Sequence, residues 1–140
     1  GSVINYKPGT ILKNEELFGL DVDILIPAAL ADSITMQNYN QIKAKMVVEA
    51  ANIPISSEVE DILHGRGILV IPDIIANAGG VISSYAEYKG YNPKQMLKLV
   101  QRKIQRNTRT VLEHAEKKDI GLRDAALNIA KERILRVHHR

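Results

Sequence analysis

An α/β fold with a parallel sheet, continued by helices toward the C-terminus, is predicted by three features of the chain. The runs Asp23-Ile24-Leu25-Ile26, Met46-Val47-Val48 and Ile68-Leu69-Val70-Ile71 are short and continuous in their apolar residues rather than alternating. Strands of that kind are expected to be covered on both faces. Each run leads into a proline-bearing loop of small residues and then into a segment able to form a helix, the order of a parallel sheet with helical crossovers. Beyond Asn92 the apolar residues recur at threes and fours, which marks helices with one buried stripe.

In chain order, Val3–Thr10 contains Pro8-Gly9 and reads as a loop. Asn14, followed by Glu15 and Glu16, suits the N-cap of a short helix. The first strand ends at Pro27, and Ala28–Leu30 and Ser33–Ile42 read as helical or irregular, with Ser33 or Asn38 as candidate caps. The second strand ends in Glu49-Ala50-Ala51-Asn52-Ile53-Pro54. Ser56 or Ser57, with Glu58, Glu60 and apolar Val59, Ile62 and Leu63, marks a capped amphipathic helix that Gly65 and Gly67 close. The third strand stops at Pro72, and Val81–Tyr88 forms a helix broken by Gly90. Asn92-Pro93 opens a long helix whose buried stripe is Leu97, Val100, Ile104, Thr108, Val111 and Ala115, with Lys117 and Lys118 at its C-terminal dipole and Gly121 as the break. The last helix runs from Leu122 to about Val137, with Ala125, Ala126, Ile129 and Ala130 inward.

The composition fits an ordinary globular domain, with 45% apolar and 25% charged residues over 140 positions. Without cysteine there is no disulfide or thiolate chemistry. No apolar run approaches the roughly 20 residues of a membrane span, and the opening residues do not show the basic-then-apolar pattern expected of a signal peptide; Gly1-Ser2 have the look of a cloning remnant or of native residues. Charge is uneven: residues 1–93 carry 6 Lys/Arg against 11 Asp/Glu, and residues 94–140 carry 13 against 5. The basic third reads as a solvated helical face. Its positive residues are interleaved with apolar ones and no aromatic residue follows Tyr91 to stack on a base, so no nucleic-acid partner is expected. The four histidines offer no pair on a shared face, His138 and His139 fall in a terminal tail, and no metal site is assigned.

In a parallel sheet, ligands bind outside the carboxyl ends of the strands. Those ends are Pro27-Ala28-Ala29-Leu30, Glu49-Ala50-Ala51-Asn52 and Pro72-Asp73 through Gly80. The stretch Pro72–Tyr85 is the richest of them. Gly79 and Gly80 lack a Cβ, so backbone there can approach a ligand closely, and a helix starting near them would present unpaired N–H groups. Asn77 offers both a donor and an acceptor, and Ser84 lies one helical turn after Gly80, on its face. The alternative reading of the same residues is a Gly-Gly turn capped by Asn77. Three loops of Ala, Asn and Gly at one sheet edge favour a crevice for a flat ligand.

Asp23 through Leu30, Lys43-Ala44-Lys45 into Glu49-Ala50-Ala51-Asn52, Pro72-Asp73 through Asn77-Ala78-Gly79-Gly80-Val81 with Ser84-Tyr85, and the late Leu122-Arg123-Asp124-Ala125-Ala126 closely resemble the glutamate dehydrogenase family, in order and spacing. Leucine, phenylalanine and valine dehydrogenases are more distant relatives of similar architecture. The resemblance runs from Asn14 to about Arg136 and covers only the C-terminal portion of such an enzyme. It implies a partial Rossmann-like parallel sheet of about three strands, the second half of an NAD(P)-binding domain over residues 1–90, with residues 91–140 a C-terminal helical segment packing on it.

What the resemblance implies for the site is specific. Asn52 would hold the nicotinamide ribose or carboxamide, and Asn77 would bond the carboxamide of NAD or NADP. Gly79 and Gly80 would let the ring and substrate approach, Val81 would line the side-chain pocket, and Ser84 would bond the distal carboxylate of L-glutamate. The parent reaction would be oxidative deamination of L-glutamate to 2-oxoglutarate and ammonia, in a cytoplasmic homohexamer. Its catalytic lysine and aspartate belong to the substrate domain and its Gly-rich fingerprint to the first half of the nucleotide domain; no Gly-x-Gly-x-x-Gly occurs here. The 140 residues alone are therefore expected to be inactive and, with half a sheet, to self-associate. Another amino-acid dehydrogenase of the family and a non-catalytic nucleotide-binding module are the alternatives. Two departures stand out: Ala50 where the family usually has Gly, and the more apolar Ile53-Pro54-Ile55-Ser56 in place of a Gly-Pro-Thr-like run. Tyr85-Ala86-Glu87-Tyr88 also departs from the aromatic-rich form usual there.

Overall fold

The computed structural model describes residue 5 and residues 7–138. The expected loop at Val3–Thr10 lies partly outside them, and Gly1-Ser2 and His139 lie wholly outside. Three short strands, β1 (Ile24–Leu25), β2 (Met46–Val48) and β3 (Leu69–Ile71), form one parallel sheet in that order. Ile24 pairs with Met46 and Met46 with Leu69; Leu25 pairs with Val47 and Val47 with Val70. The register puts Leu25, Val47 and Val70 on one face, because side chains alternate along a strand. That face joins Ile34, Ile42, Ile55, Val59, Leu63 and Ile68 in the first core cluster.

The other face corrects the expectation of strands covered on both sides. Ile24 is 52% exposed and Ile26 56%, while Met46, Val48, Leu69 and Ile71 are half-buried. Among the described residues α2 (Ser57–Gly65) and α6 (Leu122–His138) are the helices that pack most on the sheet, both at β3. The continuous apolar run at β1 is thus a strand whose second cover is not among the described residues.

Between the strands the segments are mostly irregular. Asn14 opens α1 (Asn14–Leu17) as a helical residue, and Lys13 takes the cap position expected for Asn14; the Lys13 N–H donates to the Glu16 carboxylate at 2.8 Å. Ser33–Ile42 holds one 3-10 turn at Tyr39–Gln41 with Asn38 before it. The Asn38 side chain works backward instead, accepting from the Thr35 N–H and donating to the Ser33 carbonyl. Ser56 caps α2 by accepting from the Val59 N–H at 3.4 Å. At its other end Arg66 donates to the carbonyls of Tyr39 and Ile42.

The helical third forms a hairpin. Asn92 and Gln95 make a reciprocal capping box at the start of α5 (Pro93–Lys118), with Pro93 in the first turn. The buried stripe starts at Leu99 rather than Leu97, which is 63% exposed; Val111 and Ala115 are buried as expected. α5 ends on Asp119 in the left-handed conformation (φ 54°), two residues before the expected break at Gly121. α6 follows at once and extends through His138, where a terminal tail was expected. Ala125 and Ala126 of α6, Val111 and Ala115 of α5 and Ile75 form the second core cluster. No helix among the described residues is long and apolar enough to cross a membrane.

Among the described residues β1 pairs only with β2, so its outer edge and the apolar Ile24 and Ile26 beside it have no cover there. Such an edge templates pairing with another chain. Sedimentation of the 140-residue chain is expected to show concentration-dependent association, and lysine at both positions (Ile24→Lys with Ile26→Lys) to suppress it. A wild-type chain that stays monomeric at high concentration would contradict this.

Candidate functional site

The parallel sheet brings its three C-terminal loops to one edge, and backbone hydrogen bonds tie them together. The N–H groups of Ala50 and Ala51 both donate to the Pro27 carbonyl, at 3.1 and 2.9 Å. The Asp32 N–H donates to Ile53 O and the Ile34 N–H to Pro54 O, each at 3.0 Å, around a parallel bridge between Ile34 and Ile55. The loop after β3 joins them through one side chain. Asn77 Nδ2 donates to Asn52 Oδ1 at 2.7 Å and to the Ala51 carbonyl at 3.2 Å. Asn52 and Asn77 therefore meet, and Asn77 does not cap the following helix. Ala78 stands at the cap of α4 (Gly79–Tyr88).

The glycines also differ from expectation. A helix does not wait for them: α3 (Asp73–Ala76) precedes, and α4 contains both. A Cβ on Gly79 would meet Val100 of α5 at 3.4 Å, whereas one on Gly80 would meet nothing within 4 Å. A side chain at 79 would make ordinary contact with Val100, so the packing of α4 on α5 does not itself demand Gly79, and the space beside Gly80 is open. Ser84 Oγ donates to the Gly80 carbonyl at 3.2 Å, so the expected sharing of a face holds. Val81, 77% exposed, lies three residues before Ser84 and so shares its side of α4. α4 ends before Gly90, whose φ of 73° favours glycine.

Beneath the loops lies a cluster that the sequence did not reveal. Arg123, in the first turn of α6, meets three carboxylates. Its Nη2 donates to Glu49 Oε2 at 2.8 Å, its Nη1 to Asp73 Oδ1 at 3.0 Å and its Nε to Glu60 Oε1 at 2.6 Å. Glu49 is fully buried, and Glu60 and Asp73 nearly so. Glu49 Oε2 also accepts from the Asp73 N–H at 3.0 Å. Asp73 Oδ2 accepts from the Ile53 N–H at 2.9 Å and Oδ1 from the Ile74 N–H at 2.8 Å. Ile53 sits in the left-handed region, with φ of 46°. For a β-branched residue that is a true outlier, costing about 1–3 kcal/mol. It is pinned on both sides, by Asp73 at its N–H and by the Asp32 N–H at its carbonyl.

The charges in the cluster are unequal. Burial pushes the Glu49 carboxyl up to about 8; hydrogen bonding with Glu60 and repulsion from it act in the same direction, while the Asp73 N–H and Arg123 oppose. Oε2 is occupied by two donors, so a proton belongs on Oε1, a buried atom that accepts no hydrogen bond. Burial would raise Asp73 too, but the Ile53 N–H and Arg123 outweigh it and hold that carboxyl below its ordinary value. Burial works against the Arg123 charge, and Glu60, Glu49 and Asp73 more than offset it.

A separate cleft of about 390 Å³ lies between α2 and the α5–α6 turn, with Arg123 in its wall. Glu60, Asp61, Glu116, Asp119 and Asp124 also line it. Such a wall repels phosphates, so the sheet edge is the better candidate for a dinucleotide.

The chain as a whole has relatives. A family model described as Glutamate/Leucine/Phenylalanine/Valine dehydrogenase matches residues 1–140. The chain belongs to this dehydrogenase family. It is 42% identical to a glutamate dehydrogenase of Aeropyrum pernix over 97% of this chain and 35% of that one. It is also 42% identical to one of Thermotoga maritima, over 96% and 34%. Among solved structures, L-tryptophan dehydrogenase from Nostoc punctiforme superposes with a TM-score of 0.82 at 31% identity, covering 94% of this chain and 39% of that one. The hetero-hexameric glutamate dehydrogenase of Thermus thermophilus in a leucine-bound form gives 0.80 at 32%, covering 90% and 32%. This family chain thus spans about a third of the length of the relatives it matches.

Because folded Glu49 holds its proton more tightly than the unfolded chain does, this group favours folding at low pH, and that contribution is lost as pH rises from about 4.5 through about 8. The effect is on the order of a few kcal/mol. Asp73 acts oppositely, and only at more acid pH, because its folded value lies below 3.8. Urea unfolding between pH 5 and 8 is expected to show falling stability, and Glu49→Gln, a permanently uncharged analogue, to flatten the curve. An unchanged slope in that variant would place the titration elsewhere.

Proposed function

We propose that this chain forms the nicotinamide- and substrate-facing portion of an NAD(P)-dependent amino-acid dehydrogenase, with L-glutamate as substrate. The observation that carries the reading is the Asn77–Asn52 pair at the carboxyl edge of the parallel sheet. The pair leaves Asn77 Oδ1 and the Asn52 amide N–H groups without a partner among the described residues. An acceptor beside a donor complements a carboxamide, which offers both in return. NAD or NADP would supply hydride acceptance when bound, and both coenzymes appear in the names of relatives, the NADP-specific enzyme of Saccharolobus shibatae and the NAD-specific one of Halobacterium salinarum.

In this reading Asn77 bonds the carboxamide and Asn52 the carboxamide or the adjoining ribose. Gly79 and Gly80 let the ring and substrate approach, with open space where a Cβ on Gly80 would stand. Ser84 turns its hydroxyl from the Gly80 carbonyl to the distal carboxylate of glutamate, while Val81 lines the side-chain pocket. Residues 1–90 are then the second half of the nucleotide-binding domain, and residues 91–140 a helical segment on it. In an enzyme of the relatives' length the remaining chain would carry the proton-transferring lysine and aspartate, in a cytoplasmic homohexamer. Another amino acid of the family is the second reading, favoured by the fit to L-tryptophan dehydrogenase.

Asn77→Ala should weaken NADH or NADPH binding by several-fold, the worth of a neutral hydrogen bond at about 1 kcal/mol. In a full-length enzyme carrying these residues, Ser84→Ala should lower kcat/KM for glutamate by roughly 10- to 100-fold, since a bond to a charged group is worth about 1.5–3 kcal/mol. Activity toward an apolar amino acid should be spared. Steady-state kinetics on both substrates distinguishes the two readings: equal losses would remove Ser84 from carboxylate recognition. The 140 residues by themselves should turn over no glutamate.

A further inference from the structure

Arg123 is far from the asparagine pair in sequence, yet a continuous set of hydrogen bonds joins them. Nη1 holds Asp73 Oδ1, and the other oxygen of Asp73 holds the Ile53 N–H. Nη2 holds Glu49, whose same oxygen takes the Asp73 N–H, so one guanidinium braces the ends of both β2 and β3. Ile53 directly follows Asn52, and its left-handed backbone sets the direction in which the chain leaves that residue. An isoleucine does not keep such a conformation unless its surroundings enforce it. The enforcing bond on its N–H comes from a carboxylate that Arg123 itself orients.

We infer that Arg123 is a positioning residue for the Asn52–Asn77 pair, acting through Asp73 and the strained Ile53. The guanidinium fork is what the task needs: its planar donors serve three carboxylates in fixed directions, which a lysine ammonium on a flexible stem does not do. Placement of α6 is thereby linked to the loop that presents Asn52. That the pair contacts a nicotinamide rests on the function proposed above; the linkage itself does not.

Amide hydrogen exchange on the full chain tests the linkage without coenzyme. In Arg123→Gln the Ile53 N–H is expected to exchange at least tenfold faster. The Leu69 N–H, bonded to Lys45 O across the sheet, and the Ala125 N–H, bonded to Gly121 O within α6, should accelerate at least fivefold less than Ile53. Where Arg123→Gln does not fold, Arg123→Lys is held to the same comparison. Unchanged exchange at Ile53, or a rise shared equally by Leu69 and Ala125, would overturn the inference and leave Arg123 a general structural residue. NADH titration forms a second arm, in which the variant should bind at least fivefold more weakly than wild type. If the wild-type chain does not bind NADH, the coenzyme reading of the pair falls, and the exchange comparison alone decides the positioning.

Discussion

The rest of the structure depends on one guanidinium surrounded by three carboxylates. Arg123 is contributed by α6, Glu49 by the residue after β2, Asp73 by the first residue of α3 and Glu60 by α2, so helices from both ends of the chain meet the sheet edge at this point. Its value is not simply stability. Burying charges costs several kcal/mol per ion, which their attraction repays only with good geometry, whereas removing one partner of a buried pair costs about 3–5 kcal/mol. The cluster therefore does more to select one arrangement of the four elements than to deepen the folded state. The upward push that burial and Glu60 give the Glu49 carboxyl works the same way, since one guanidinium faces three carboxyl groups.

The parallel sheet converts that arrangement into a site. Parallel strands all point their C-terminal loops to the same edge, and here the loops are short enough to bond one another directly. The two core clusters divide the work: the first fixes the strands against α2, and the second fixes α5 and α6 against Ile75 at the start of the loop that carries Asn77. The asparagine pair sits where these two bodies meet. Its geometry is consequently sensitive to how α6 lies, even though no residue of α6 touches Asn52 or Asn77 by hydrogen bond among the described residues.

The strands, a serine cap of α2 at Ser56 or Ser57 and the N-cap at Asn92 were legible because local chemistry determines them: apolar runs, serines before acidic residues, an asparagine before proline. The meeting of Asn52 and Asn77 was legible only as a shared sheet edge, and their direct hydrogen bond was not. The Arg123 cluster was invisible for a stronger reason. Glu49, Glu60 and Asp73 each look like ordinary surface acids, and nothing local says that a residue 74 positions later pairs with the first of them. The one available signal was Glu49 placed directly after an apolar strand, where a solvated charge is out of place. Leu97 failed for the opposite reason: its spacing suits the buried stripe, but Leu99 is the residue buried there and Val100 the one that faces Gly79 of α4.

The apolar loop after Asn52 shows how such a site is held open. Ile55 needs no functional account, since it is buried in the first core and bridges Ile34. Ile53 does need one. It is 57% exposed and left-handed, so it neither gains from burial nor adopts a relaxed backbone. A residue unfavourable on both counts persists only where its neighbours over-determine it, and here its N–H and its carbonyl are each taken by a different loop. The local strain is the cost of turning the chain sharply just after Asn52, which leaves that side chain facing Asn77 rather than following β2 outward. A site built this way is rigid because its least comfortable residue is its best-restrained one.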